Sequence, residues 1–143
     1  MQPPNLALSL LHAADWFNDA LAERMAQRGF PLLNRSQALV MANLQFGPCR
    51  PSELARRLGM SRQAVQQLLR PLSGYDLVEV QPDPDDGRAV LVHPTLAAMS
   101  FGIAAAEELA CIEAELRLRI GDSAVDQLHR VIALDWGAPP ADR

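Results

Sequence analysis

The stretch 51-PSELARRLGMSRQAVQQLLRPLSGYDLVEVQPDPDDGRAVLVHPT-95 decides the fold. Pro51 suits the first turn of a helix, where its missing N–H costs nothing. That helix buries Leu54, Ala55 and Leu58 and stops at Gly59. Ser61 is an N-cap for the next helix, whose inner face is Ala64, Val65, Leu68, Leu69 and Leu72. Its outer face is Arg62, Gln63, Gln66, Gln67 and Arg70. Pro71 deletes a hydrogen bond and is expected to bend or shorten the helix end. Two β-prone runs follow, Leu77–Val80 and Ala89–Val92, around the turn chemistry of Pro82–Gly87. Pro94 stops the second strand, and Thr95 caps what comes next. The order is helix, turn, helix, wing.

The flanks are helical. Leu6, Leu10, Ala14, Phe17, Leu21 and Met25 recur in steps of three and four, a helical stripe from Asn5 to about Arg28. Pro3 and Pro4 precede it and Gly29 ends it. Asn34 with Gln37 resembles a capping box for a helix running to Gln45, which Gly47-Pro48 terminates. Beyond Thr95 a long helix runs from about Leu96 to Ile120, roughly 40 Å at ~1.5 Å per residue. Gly121 breaks it, Asp122 or Ser123 caps a last helix to about Leu134, and the tail from Gly137 is expected to fray. The fold class is mainly α with a small antiparallel β-hairpin wing. Three regions are expected in one intertwined domain: 1–33, 34–95 and 96–143.

Composition narrows the function. The 143 residues suit one domain with a sizeable core, about half of them apolar and a fifth charged. No apolar run reaches membrane-spanning length, and no basic segment precedes an apolar one as in a secretory signal. Two cysteines, Cys49 and Cys111, make no disulfide framework and no metal spacing, so a reducing, cytoplasmic location is expected. Asp83, Asp85 and Asp86 lack the ligand set of a calcium loop. His12, His93 and His129 are scattered, with no catalytic or phosphate-binding fingerprint. The expectation is a non-enzyme without cofactor or metal.

The net charge of −4 opposes nucleic-acid binding, but its distribution does not. Every one of the thirteen basic residues is Arg. Arg50, Arg56, Arg57, Arg62 and Arg70 stand against the single acid Glu53 between positions 50 and 70. The acids gather at Glu107, Glu108, Glu113, Glu115, Asp122 and Asp126. A helix-turn-helix sets its second helix in the major groove, where Gln pairs with adenine and Arg with guanine. Gln63, Gln66, Gln67 and Arg70 have that chemistry. Arg56, Arg57, Ser61 and Arg62 are placed for phosphates, which position without specifying. Arg88 at the wing tip suits a minor groove, with Asp86 holding its guanidinium. Taken singly, a Gln-rich outer face is more often plain solvent-facing helix and a lone Arg in a turn is usually just solvated; the combination in fixed order favours DNA.

At Ser52–Ser61 and Asp83–Ala89 above all, and over almost its whole length, the sequence resembles the MarR family of winged-helix transcription regulators. The second stretch is similar to that family's wing signature, Asp86 followed two residues later by Arg88. The resemblance implies a homodimer on a near-palindromic double-stranded DNA site. Residues 6–25, the end of the long helix and residues 123–134 would then form the interface. It also implies a repressor that answers a small phenolic or lipophilic effector, with His12, Trp16, Met41 and Met99 as candidate pocket residues. Two alternatives stay open: a winged helix for protein contact without DNA, and redox control through Cys49, its pKa lowered by Arg50, with Cys111 inert among apolar neighbours. The sequence departs from the family at Pro71, at Asp76 where Gly is common, at Pro94 for Leu and at Ala98 for Gly. Asp tolerates the left-handed backbone that a Gly there would supply.

Overall fold

The computed structural model describes residues 5–140. Pro3 and Pro4, expected ahead of the first helix, lie outside them. Six helices and one hairpin follow in order among the described residues. They are α1 (Leu6–Gln27), α2 (Arg35–Leu44), α3 (Pro51–Leu58), α4 (Arg62–Gly74), β1 (Val78–Asp83), β2 (Asp86–Pro94), α5 (Leu96–Ile120) and α6 (Asp122–Ile132).

Local chemistry explains most boundaries. The Asn5 side chain accepts from the amides of Ala7 and Leu8 and starts α1. The Asn34 side chain accepts from Gln37 N–H at 2.8 Å while Gln37 Oε1 accepts from Asn34 N–H at 2.9 Å, a complete capping box. Gly59, at φ 64°, turns the chain out of α3, and Met60 N–H closes back on the Ala55 carbonyl at 2.9 Å. Ser61 Oγ then accepts from Ala64 N–H at 3.1 Å. Three residues thus join α3 to α4.

Two expectations are corrected, at the hairpin and at the cap of α6, whereas Pro71 stands in the last turn of α4: the helix runs three residues past it to Gly74, and Tyr75 N–H bonds to the Pro71 carbonyl at 3.0 Å. Because Pro71 is exposed, its ring costs only the hydrogen bond to the Gln67 carbonyl, which water can replace. The hairpin is longer than its β-prone runs, since pairing extends through Pro82 and leaves only Pro84-Asp85 as the turn, with a register slip at Pro82/Asp83. The cap of α6 is Gly121 (φ 93°), with Asp122 as the first helical residue and no side-chain cap.

The core lies where α2, α3, α4 and the hairpin meet. Val40, Leu44, Leu54, Val65, Leu72, Leu77, Val78 and Val92 are buried there in one cluster. Cys49 joins through a β-bridge to Val92, its N–H and C=O bonding at 3.2 and 2.9 Å. The corner after α4 needs Asp76 at φ 59°, as a Gly would otherwise supply. Thr95 ties that corner to α5: its hydroxyl donates to the Asp76 carbonyl, and its Oγ1 accepts from Ala98 N–H at 3.1 Å.

Outside this core, α1 packs along α5. The α1 stripe is half-buried from Leu10 to Leu21 and fully buried at Met25, but Leu6, Leu8, Leu11 and Trp16 stay exposed. Leu118, Ile120, Leu128, Val131, Ile132, Leu134 and Trp136 are exposed as well.

Leu72→Ala removes a side chain with no exposure from the meeting point of α4 and the hairpin. Urea unfolding followed by circular dichroism should show a loss of about 2–5 kcal/mol. A loss within ~0.5 kcal/mol would show that the cluster does not hold the module together.

Candidate nucleic-acid interface

Helix α4 is two-faced by spacing. Val65, Leu69 and Leu72 enter the core, which leaves Gln63, Gln66, Gln67 and Arg70 on the other side. Those four stand at i, i+3, i+4 and i+7, one continuous exposed stripe. Arg62 is exposed beside them in the first turn. Here the outer face expected from the sequence matches the geometry residue by residue.

The arginines divide by partner. Glu53 Oε1 lies 2.6 Å from Arg56 Nη2 and 3.0 Å from Arg57 Nε, so both side chains fold back onto α3. The two guanidinium groups hold the Glu53 carboxyl below its usual range, the hydrogen bond to Arg56 first. Among the described residues no ion pair is made by Arg62, Arg70 or Arg88. The acids of α5 and α6 are matched locally. Arg24 pairs with Glu108 and Glu115, and Arg28 with Glu107 and Glu108 at 2.9 and 3.1 Å. Arg117 pairs with Glu113 and Asp126 at 2.9 and 2.8 Å. Much of the negative charge is therefore compensated away from α4.

At the wing, Arg88 is exposed on β2 just past the turn. Asp86 does not hold its guanidinium: Asp86 Oδ1 instead accepts from the Arg88 backbone N–H at 3.1 Å. The reason is local, since an Asx turn uses the carboxylate within two residues. The charged partner at the tip is Arg50, which sequence reading left out of the site. Arg50 Nε donates to Asp83 Oδ2 at 2.9 Å, with Nη2 at 2.7 Å from the same oxygen. The two residues are 33 positions apart, and no periodicity links them. The one available sign was an Asp in a turn preceded by Pro, a residue suited to a fixed bend.

A cleft of ≈ 750 Å³ opens between α1, α2 and α5. Its wall is largely apolar and includes Leu21, Leu33, Met41, Met99, Phe101 and Ile103. The four pocket candidates do not converge. Met41 and Met99 line this cleft, whereas Trp16 lines a separate polar groove with Arg24, Glu115 and Arg119. His12 is exposed near the start of α1 and lines neither.

The fold defined by α2–α4 and the hairpin is a winged helix-turn-helix, carried on a frame of α1, α5 and α6. Residues 33–89 match the family model described as MarR family. The reduced form of MarR from E. coli superposes with a TM-score of 0.78 over 92% of this chain and 96% of that one, at 18% identity. A probable transcriptional regulator from Pseudomonas aeruginosa gives 0.68 over 91% and 96%, at 22% identity. A transcriptional regulator from Thermotoga maritima gives 0.64 over 88% and 87%, at 19% identity. None of the curated proteins compared with the chain matches it. Residues 33–89 are thus similar to the MarR family model, and the chain as a whole has the fold of these solved structures.

The cysteines differ from expectation. Cys49 is buried, and burial pushes its thiol above the ordinary value, against a smaller opposing effect of Arg57. Cys111 is exposed on α5 rather than shielded by apolar neighbours. This removes the basis for a reactive Cys49. Alkylation with iodoacetamide at neutral pH, read by mass spectrometry, should therefore modify Cys111 first. Cys49 should follow only when pH or denaturant is raised. Equal rates in the folded protein would contradict the burial of Cys49.

Proposed function

We propose that the protein is a homodimeric, sequence-specific double-stranded DNA-binding transcription regulator, a repressor released by a small effector. The observation that carries the DNA reading is the exposed stripe Gln63, Gln66, Gln67 and Arg70 opposite the buried Val65, Leu69 and Leu72. Long amide and guanidinium side chains on a protruding helix are the groups that read major-groove edges. Arg62, Arg70 and Arg88 offer uncompensated charge to phosphates, while Ser61 caps the helix whose positive end points toward the groove. Arg56 and Arg57 join them once Glu53 yields to phosphate. Asp86 supports the wing backbone at Arg88.

Two copies are needed. One stripe spans too few base pairs for a specific site, and the apolar rows on α1, the end of α5 and α6 lack cover within the chain. Mutual burial across a twofold axis meets both requirements and places two reading helices about one DNA turn apart. The binding site is then near-palindromic. The region 1–33 with 96–143 serves pairing, and 34–95 serves DNA.

The cleft between α1, α2 and α5 joins the pairing helices to the reading module. Its apolar lining, Met41 and Met99 included, suits an aromatic or lipophilic effector. Occupancy would change the separation of the two reading helices and so release DNA.

Affinity for random duplex DNA should fall steeply with salt, and an absence of slope would favour a winged helix used for protein contact. Arg88→Ala should weaken binding across sequences and lower the salt slope by about one; Gln67→Ala should relax base preference at one position. DNA fragments selected by the purified protein should carry two inverted half-sites about 10 base pairs apart. For the effector, titration calorimetry with a panel of phenolic compounds should find one that lowers DNA affinity. Its effect should vanish in Met99→Glu; a panel with no such compound counts against effector control.

A further inference from the structure

We propose that Arg50 is the positioning residue of the wing: its grip on Asp83 fixes the pose in which Arg88 meets DNA. The inference rests on the DNA-binding reading and adds to it a residue outside the reading face.

A two-stranded hairpin is only marginally stable by itself. Glu79, Val80, Gln81 and Pro82 are all exposed, so β1 draws little from the core along its outer half. Two ties from one short segment make good the deficit. Cys49 bridges Val92 by backbone and anchors the base of the hairpin. Its neighbour Arg50 extends to Asp83 near the tip. Val92 faces Val80 in register, and Asp83 lies three residues beyond Val80, about 10 Å at ~3.3 Å per residue. The base and the tip are therefore held from adjacent residues at the start of α3.

The tip contact is a built one. Asp83 is 6% exposed, and an unpaired carboxylate there would be costly. Both of its oxygens are used: Oδ2 takes Arg50, and Oδ1 accepts from Asp85 N–H at 2.9 Å. The contact coincides with the register slip at Pro82/Asp83, where the ladder cannot hold the strands by itself. From there it reaches Arg88. Arg50 Nη2 is 3.8 Å from Asp86 Oδ2, and Asp86 Oδ1 accepts the Arg88 amide at 3.1 Å. Lys at position 50 would supply the charge without the paired Nε and Nη2 geometry.

The experiment is a double-mutant cycle on full-length protein with a fluorescent random-sequence duplex at fixed salt. It uses Arg50→Met, Arg88→Ala and the pair, alongside hydrogen exchange at the Asp85 and Arg88 amides. Arg50→Met should speed exchange at both amides and weaken binding roughly ten-fold, close to Arg88→Ala. The pair should be no weaker than the worse single variant, and Arg50→Lys should fall between wild type and Arg50→Met. Should Arg50→Met not fold, Asp83→Asn tests the same contact with little change of shape. Unchanged exchange overturns the clamp. Faster exchange with additive losses overturns action through Arg88 and makes Arg50 a direct phosphate contact. Failure of the wild-type protein to bind any duplex sinks the DNA reading instead, a result the exchange data separate from loss of the clamp.

Discussion

Burial of Val65, Leu69 and Leu72 is the constraint from which the rest of the module follows. Each is almost fully removed from water, worth on the order of 1.5–3 kcal/mol per side chain. Once that row is fixed against Val40, Leu44 and Leu54, the rotation of α4 about its axis is no longer free. The helical period then decides which residues face outward, and Gln63, Gln66, Gln67 and Arg70 have no other place to go. The same burial sets the corner at Asp76, because Leu77 must return to the core five residues after Leu72. The wing starts from that corner, so its origin is referred to the position of α4.

Charge is organised on a second principle. A chain with an excess of acids would repel DNA unless those acids were remote or compensated. Here α1 and α5 meet through Arg24 and Arg28, and α5 meets α6 through Arg117. Arg117 sits among Glu113, Asp122 and Asp126 and is held well above the ordinary arginine value, first by its bond to Asp126. These pairs are partly exposed, so their contribution to stability is small. Their larger effect is to compensate acidic charge along the frame, away from the unpaired arginines of α4 and the wing.

Much of this was legible in the sequence because it is local. Caps at Asn34, Ser61 and Thr95, Pro51 at a first turn and the period of α4 all act within four residues, and the structure repeats them. What was not legible depends on distance or on alternatives of similar energy. How far α4 runs past Pro71 was not fixed by its known intrinsic cost, since an exposed ring near the last turn breaks one bond. The cap of α6, expected at Asp122 or Ser123, falls to Gly121 through its backbone angle. Cys49 stood next to an arginine in sequence, yet its surroundings come from Val92, more than forty residues away. The Arg50–Asp83 contact and the separation of Trp16 from Met41 and Met99 are properties of packing, which periodicity does not encode.

The absence of lysine has a consequence for control. The outward charges of α4 and the wing, at Arg62, Arg70 and Arg88, are all guanidinium groups, planar forks with no primary amine. Acylation of lysine amines, a common way to erase positive charge, finds no substrate side chain on this surface. What such a surface leaves adjustable without lysine chemistry is geometry, the spacing and tilt of rigid parts.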